Sequence, residues 1–229
     1  MNCIAVIPAR AGSKGLPGKN VALINGKSLV ELAIETAISI PAITRVVVTS
    51  DDLEVQQIAT KMGVELVVRP SSLAQDNSSI ESAILHALHS LNLKTANSDV
   101  LTLIQPTSPL RSRKLLMDSL QQFIASGSTG SMFGVVDVEH HPAKMLRIEG
   151  ELVVPFTKIE DLSASRQTLG RVVRQSGSMY ITNLQEFLKL DFQKMGTLMN
   201  QPLVIDGRNF LVAEELQKAG FRYIGIGHR

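Results

Sequence analysis

The chain contains no tryptophan and only 4% aromatic residues, so the stacking platforms that hold single-stranded nucleic acid are hard to build from it. Its one cysteine, Cys3, excludes an internal disulfide and with it the usual staple of a small secreted domain. A reducing compartment, the cytoplasm, is therefore expected. No apolar run approaches the roughly 18 residues of a membrane span, and Met1–Ile7 lacks the basic n-region and small-residue cleavage site of a signal peptide. That segment reads as a first strand, and no membrane partner is expected. Charge of a single sign is missing too, since 23 Lys and Arg stand interspersed with 21 Asp and Glu for a net +2. Without the long-range field of a general nucleic-acid binder, no nucleic-acid partner is expected, and any anion must be gripped locally. Internal repeats and low-complexity tracts are also lacking, which excludes solenoids and long disordered tails.

What the sequence does contain is an alternation of short β-rich runs with longer stretches of helical period, the pattern of βαβ units on a mostly parallel sheet. Its 229 residues, 44% of them hydrophobic, suffice for one α/β domain with its own core. Cys3–Pro8, Arg45–Ser50, Glu65–Val68, Val100–Gln105 and Ser131–Val138 are near-continuous apolar runs, as strands covered on both faces should be. Leu29–Ile40, Leu53–Met62, Ser79–Leu93 and Ser112–Ser126 place apolar residues at helical spacing and read as the crossover helices. Asp51 and Asp52, before the second helix, and Ser112, opening the fourth, are candidate N-caps. The rhythm breaks at Glu139. Lys144–Ile148 and Glu151–Pro155 flank Glu149-Gly150 as a small hairpin, and Arg171–Thr182 has strand character. Asn183–Leu190 then reads as a short helix, Pro202–Ile205 as a strand, Phe210–Ala219 as a helix and Arg222–Gly227 as a last strand.

Directly after the first strand comes Ile7-Pro-Ala-Arg-Ala-Gly-Ser-Lys-Gly-Leu-Pro-Gly-Lys-Asn20. Its glycines allow close backbone approach, successive N–H groups can form an anion nest, and Arg10, Lys14 and Lys19 reinforce the positive field. The same composition suits a solvated surface loop. Position favours the first reading, because ligands of open α/β sheets bind beyond the carboxyl ends of the strands. The segment matches neither the GxGxxG dinucleotide fingerprint nor the Walker P-loop pattern, which argues against a dinucleotide-dependent oxidoreductase.

This loop closely resembles the signature of the acylneuraminate cytidylyltransferases, the CMP-sialic acid synthetase family. Gly12-Ser13-Lys14-Gly15 favours that branch over relatives acting on 3-deoxy-manno-octulosonate. Further along, Gln105-Pro-Thr-Ser-Pro-Leu-Arg111 resembles the family's sugar-site segment, and Arg69 with Leu73–Ser79 resembles its base and ribose segment. Lys144 after His140-His141-Pro142, Arg166-Gln167, and Ser176–Tyr180 resemble the parts that grip the acid sugar and build the dimer. The adjacent histidines do not suggest a metal site, since consecutive side chains on a strand point apart and no third ligand is near.

The resemblance implies a three-layer α/β fold with a mostly parallel sheet, Rossmann-like and of the nucleotide-diphospho-sugar transferase type, with a small β-rich dimerisation insertion. A single cytidylyltransferase domain over residues 1–229, with 139–180 as that insertion, is expected, together with a homodimer. CTP and an acidic nine-carbon sugar would be the partners, with Ala9, Arg10, Gly12, Ser13, Asn20, Arg69 and Ser79 on the nucleotide. Gln105, Thr107, Ser108, Lys144, Arg166 and Tyr180 would hold the sugar. Arg10, Lys14 and Lys19 would stabilise phosphate charge, while Asp206 would bind Mg2+ and activate the attacking anomeric hydroxyl. The implied reaction transfers CMP to an N-acylneuraminate and releases pyrophosphate. One departure stands out: where the family carries Asp-x-Asp, this chain has Val204-Ile205-Asp206, so a single carboxylate of that pair is present. A sialic-like substrate such as legionaminic or pseudaminic acid, another nucleotide, or a catalytically weakened nucleotide-binding module are the alternatives.

Overall fold

The computed structural model describes residues 1–12, 15–75, 78–165, 167–188, 203–206, 217 and 222–225, with backbone alone for 203–206 and 222–225. The elements, in chain order, begin with β1 (Cys3–Pro8), the two-residue strands β2 (Leu23–Ile24) and β3 (Lys27–Ser28), α1 (Leu29–Ile38), β4 (Arg45–Ser50), α2 (Leu53–Lys61) and β5 (Glu65–Val68). They continue with α3 (Ile80–Ser90), β6 (Val100–Leu103), α4 (Arg113–Ala125) and β7 (Ser131–Asp137). The hairpin strands β8 (Leu146–Glu149) and β9 (Leu152–Pro155), α5 (Ile159–Ser163), β10 (Val173–Asn183), α6 (Leu184–Leu188), β11 (Leu203–Asp206) and β12 (Arg222–Gly225) follow.

The main sheet runs in the order β5-β4-β1-β6-β10-β7. β1 pairs in parallel with β4 and β6, β4 pairs in parallel with β5, and β10 runs antiparallel to β6. Alternation along β1 sorts the layers, as a period of two requires. Cys3, Ala5 and Ile7 pack with Val30 and Ile34 of α1, Val55 and Ala59 of α2, and Leu116, Leu120 and Phe123 of α4. Ile4 and Val6 pack the other way, against Ile84, Ala87 and Leu88 of α3 and Leu184 of α6. The result is the expected three-layer sandwich. Each fully buried aliphatic side chain contributes about 1.5–3 kcal/mol to it. No described helix is long and apolar enough to cross a membrane.

The first three predicted strands match the observed bounds, whereas the fourth ends at Leu103 rather than Gln105. There Ile104 N–H still bonds to the Val6 carbonyl, but the chain then turns through Pro106, which has no N–H to continue the ladder. The helices begin at caps that can be named. Ser28 and Glu31 form a capping box on α1, Asp52 caps α2, Ser79 caps α3 and Ser112 caps α4. Asp51 is not a cap, correcting half of the expectation for that pair, because its carboxylate is engaged elsewhere.

The chain divides into two compact units, one of residues 1–132 with 178–229 and one of residues 133–177. Both β7 and β10 run through the boundary, so it falls inside strands rather than at residues 139 and 180. The second unit contains the β8–β9 hairpin, paired antiparallel with Glu149 opposite Leu152. The predicted helix at Phe210–Ala219 lies, except for residue 217, outside the described residues.

Candidate active site

Parallel strands leave all their carboxyl ends on one edge, and the order β5-β4-β1-β6 places a topological switch between β1 and β6. Connections from these two strands lead toward opposite edges of the sheet, β1 through α1 to β4 and β6 through α4 to β7, and ligands of open α/β sheets bind beyond the carboxyl ends of the strands at such a point. The loop of Ala9–Asn20 leaves β1 at this point, and its base is tied at several atoms. Ala9 N–H donates to the Thr49 carbonyl at 3.0 Å, and Ser50 Oγ donates to the Ala9 carbonyl at 2.5 Å. Ala11 N–H donates to an Asp51 carboxylate oxygen at 2.9 Å. Asn20, buried, donates from Nδ2 to the Arg10 carbonyl at 2.8 Å, bringing the far end of the loop back onto its start. Of the glycines at 12, 15 and 18, Gly18 is the one with positive φ, +66°, and it opens the short turn Lys19–Val21. A Cβ at Gly12 would meet nothing within 4 Å, so that backbone is approachable.

Arg10 reaches from this loop to the one after β5, its Nη1 donating to the carbonyls of Gln75 (2.9 Å) and Ala74 (3.4 Å). Lys19 is half-buried and has no ion pair among the described residues. Arg69, just past β5, is 6% exposed, which makes it the most enclosed cation of the group. Its Nη2 donates to the Thr49 carbonyl at 3.0 Å, while its Nε and the buried Thr49 hydroxyl have no hydrogen-bond partner among the described residues. Burial pushes the Arg69 pKa down to about 10; Asp51 pulls it up, and Arg10 pushes it further down. A desolvated guanidinium with an idle donor is an arrangement suited to an acceptor-rich ligand.

On the other side of the switch, Gln105 is buried and Pro106 follows it into a tight turn, with Ser108 N–H on the Gln105 carbonyl at 3.3 Å. Thr107 is exposed, Ser108 half-buried, and Tyr180 of β10 lies directly across from Leu103 at the carboxyl end of β6. Thus Ala9, Arg10, Gly12, Asn20, Arg69, Gln105, Thr107 and Ser108 all belong to strand ends or loops along one edge of the sheet, with Tyr180 on β10 beside the end of β6. Ser79 also lies in the loop region after β5, but its hydroxyl accepts Ser82 N–H at 3.1 Å as a helix cap.

Lys144 belongs to the second unit. Its ammonium donates to the carbonyls of Asp161 (3.1 Å), Leu162 (2.6 Å) and Ala164, closing the carboxyl end of α5. His141 in the same unit accepts Ala143 N–H on Nδ1 and donates from Nε2 to the Gly170 carbonyl at 3.0 Å. Both ring nitrogens are thereby used within the protein. Ser13, Lys14 and Arg166 lie outside the described residues, and Asp206, the last residue of β11, is described by its backbone alone. Among the described residues, no three His, Cys, Asp or Glu side chains cluster in a way that could hold a metal.

The profile of the cytidylyltransferase family matches residues 4–175, three quarters of the chain. The chain belongs to the cytidylyltransferase family. Its relatives include a CMP-N,N'-diacetyllegionaminic acid synthase of Legionella pneumophila, 27% identical over 192 residues that cover 82% of this chain and 81% of that one. A pseudaminic acid cytidylyltransferase of Campylobacter jejuni is 26% identical, covering 84% and 83%. An N-acylneuraminate cytidylyltransferase of Escherichia coli is 30% identical over 81% of this chain but 43% of its own length. Among solved structures, a CMP:2-keto-3-deoxy-manno-octonic acid synthetase complexed with CTP superposes with TM-score 0.63 at 18% identity, covering 99% of this chain and 90% of that one. A 2-C-methyl-D-erythritol 4-phosphate cytidylyltransferase of Francisella tularensis gives 0.60 at 17%, covering 99% and 90%. At such identities these two establish the fold.

In this cytidylyltransferase, sequence reasoning missed the residues that hold the site rather than those that line it. Thr49, Ser50 and Asp51 organise the start of the loop, and Arg111 organises the turn after β6. A signal for the first group was available, since two adjacent acids cannot both cap one helix.

Proposed function

We propose that this cytidylyltransferase transfers the CMP moiety of CTP to the anomeric hydroxyl of an acidic nine-carbon keto sugar, releasing pyrophosphate, with N-acylneuraminate as the first candidate. The observation that carries this reading is the tethered Ala9–Asn20 loop at the switch point, facing the sheet edge where Arg69 keeps an idle donor. The loop and Arg69 would hold the nucleotide, and the Gln105–Arg111 turn with Tyr180 the sugar. The hydroxyl attacks the α-phosphorus in line, and little covalent work falls to the protein. Positioning and charge carry phosphoryl transfer, and the same logic is taken to hold here. Arg10, Lys14 and Lys19 would offset the charge on the leaving pyrophosphate.

Mg2+ belongs to this reading with Asp206 as its ligand. Val204 offers no ligand atom and Asp206 one carboxylate, a donor set that suits a hard cation which keeps waters and phosphate oxygens for its remaining positions. The bound ion would supply charge neutralisation on the triphosphate. We also assign the enzyme to the cytoplasm and to a homodimer built through residues 139–180.

The relatives that use legionaminic and pseudaminic acids match over more than four fifths of both chains, which favours those sugars as the second reading. The test is pyrophosphate release from CTP, and from GTP in parallel, with each of the three sugar acids. Transfer from CTP to at least one of them is expected. Lys19→Ala should lower that turnover by roughly one to two orders of magnitude, the loss of a charge-assisted contact worth about 1.5–3 kcal/mol. Tight CTP binding without pyrophosphate release under any sugar would instead identify a nucleotide-binding module that has lost catalysis.

A further inference from the structure

The turn after β6 is closed by a cation that has no acidic partner among the described residues. Arg111 Nη2 donates to the Gln105 carbonyl at 2.7 Å, and Nε donates to the Ser178 carbonyl of β10. Arg111 N–H donates to the Ser108 carbonyl at 3.2 Å, so residues 105–111 fold onto themselves and onto the neighbouring strand. Both guanidinium acceptors are neutral. No carboxylate acts on the group among the described residues, and burial alone pushes its pKa down to about 10. Enclosing a cation without a counter-charge costs stability, and two carbonyls could be bridged by a neutral donor. Among the described residues nothing supplies the opposite charge.

The location limits what that is. Arg10, Arg69 and the β1 loop stand with β4 and β5 on one side of the switch, whereas Arg111 stands with β6 and β10 on the other. Lys144, the described one of the two cations expected on the sugar, directs its ammonium to three carbonyls of its own unit. We propose that Arg111 is a positioning residue for the acidic sugar, holding the Gln105–Arg111 turn against β10 while its positive charge attracts the substrate's carboxylate. This rests on the nonulosonate reading above. Its effect passes through the shape of the turn, the placement of Tyr180 on β10 and the local field, so it shows in affinity for the sugar and not for CTP.

The experiment is steady-state kinetics of Arg111→Met and Arg111→Lys, with CTP and the sugar acid varied separately, alongside thermal melts. Met removes the charge and the fork; Lys keeps the charge and loses the fork. Arg111→Met should raise KM for the sugar acid about tenfold or more and KM for CTP less than about threefold, with Arg111→Lys between it and wild type for the sugar. A merely structural role lowers the melting temperature and active fraction and leaves both KM values in place. That result, or an equal rise in both, overturns the proposal. Should Arg111→Met not fold, Arg111→Lys decides alone, and a sugar KM within about twofold of wild type overturns it. Wild-type enzyme that turns over no nonulosonate overturns the functional reading as well; active wild type with unchanged variants overturns this inference only.

Discussion

Asp51 is an unexpected residue to find at the edge of the proposed phosphate site, because its charge would repel the ligand. Its carboxylate accepts Ala11 N–H at 2.9 Å and raises the proton affinity of Arg69 through space. Tethering the loop and countering two close arginines offset the repulsion. An Asn at this position keeps the acceptor and loses the charge, whereas an Ala loses both. Asp51→Ala should therefore lower kcat/KM for CTP by about tenfold, equivalent to a single lost hydrogen bond to a charged group, and Asp51→Asn by less. Kinetics of the Ala variant equal to those of wild type would remove the tether from the account. The residue scale is also where sequence reasoning was weakest. Asp51 and Asp52 are identical side chains one step apart, and only the path of the first loop, 40 residues earlier in the chain, gives them different work.

At the scale of elements, the opposite edge of the sheet is held by Asp99, which precedes β6 and is buried. It accepts Asn2 N–H at 2.6 Å, Asn2 Nδ2 at 3.2 Å and Ala96 N–H at 2.9 Å, fixing the start of β1 against the start of β6. Burial alone would raise its pKa, but the hydrogen bonds outweigh it and the net displacement is downward. A carboxylate depressed on folding contributes stability that is complete above its unfolded value of about 3.9 and is lost as pH falls through the folded value. Asp99→Ala should cost about 1.5–3 kcal/mol at pH 7, and the gap to wild type should narrow in denaturant melts taken below pH 4. A gap that stays constant with pH would mean that the charged form is not what the three donors hold. These elements were largely legible in advance. Strands buried on both faces and helices with Ser or Asp caps carry their signals locally, and the bounds of β1, β4 and β5 follow from apolar runs alone.

At the scale of the whole molecule, an apolar surface stands exposed in the second unit. In the second unit, Ile148 is 79% exposed, Leu152 68%, Ile159 67% and Val153 63%, while Ala143 is the one buried hydrophobic among its described residues. A unit this small, built on a two-stranded hairpin, lacks a core sufficient for its own stability. Apolar exposure of that extent calls for a partner surface, and a second copy is the reading that accompanies the proposed function. Light scattering should give a dimer for wild type at micromolar concentration and a monomer for Ile148→Glu. A monomeric wild type would overturn the assignment.

Composition, apolar periodicity and the Ala9–Asn20 and Gln105–Arg111 segments by themselves determined the fold class, the order of the first strands and crossover helices and the family, because each of these is written in contiguous residues. The tertiary structure decided which side chains work together. Parallel pairing brings residues 9–11, 49–51, 69 and 105 to one sheet edge, so Asp51 serves the β1 loop, Arg69 is left with an idle donor, and Arg111 closes a turn onto β10. Those relations depend on strand register and burial, quantities that arise when distant segments pack and that no local pattern encodes.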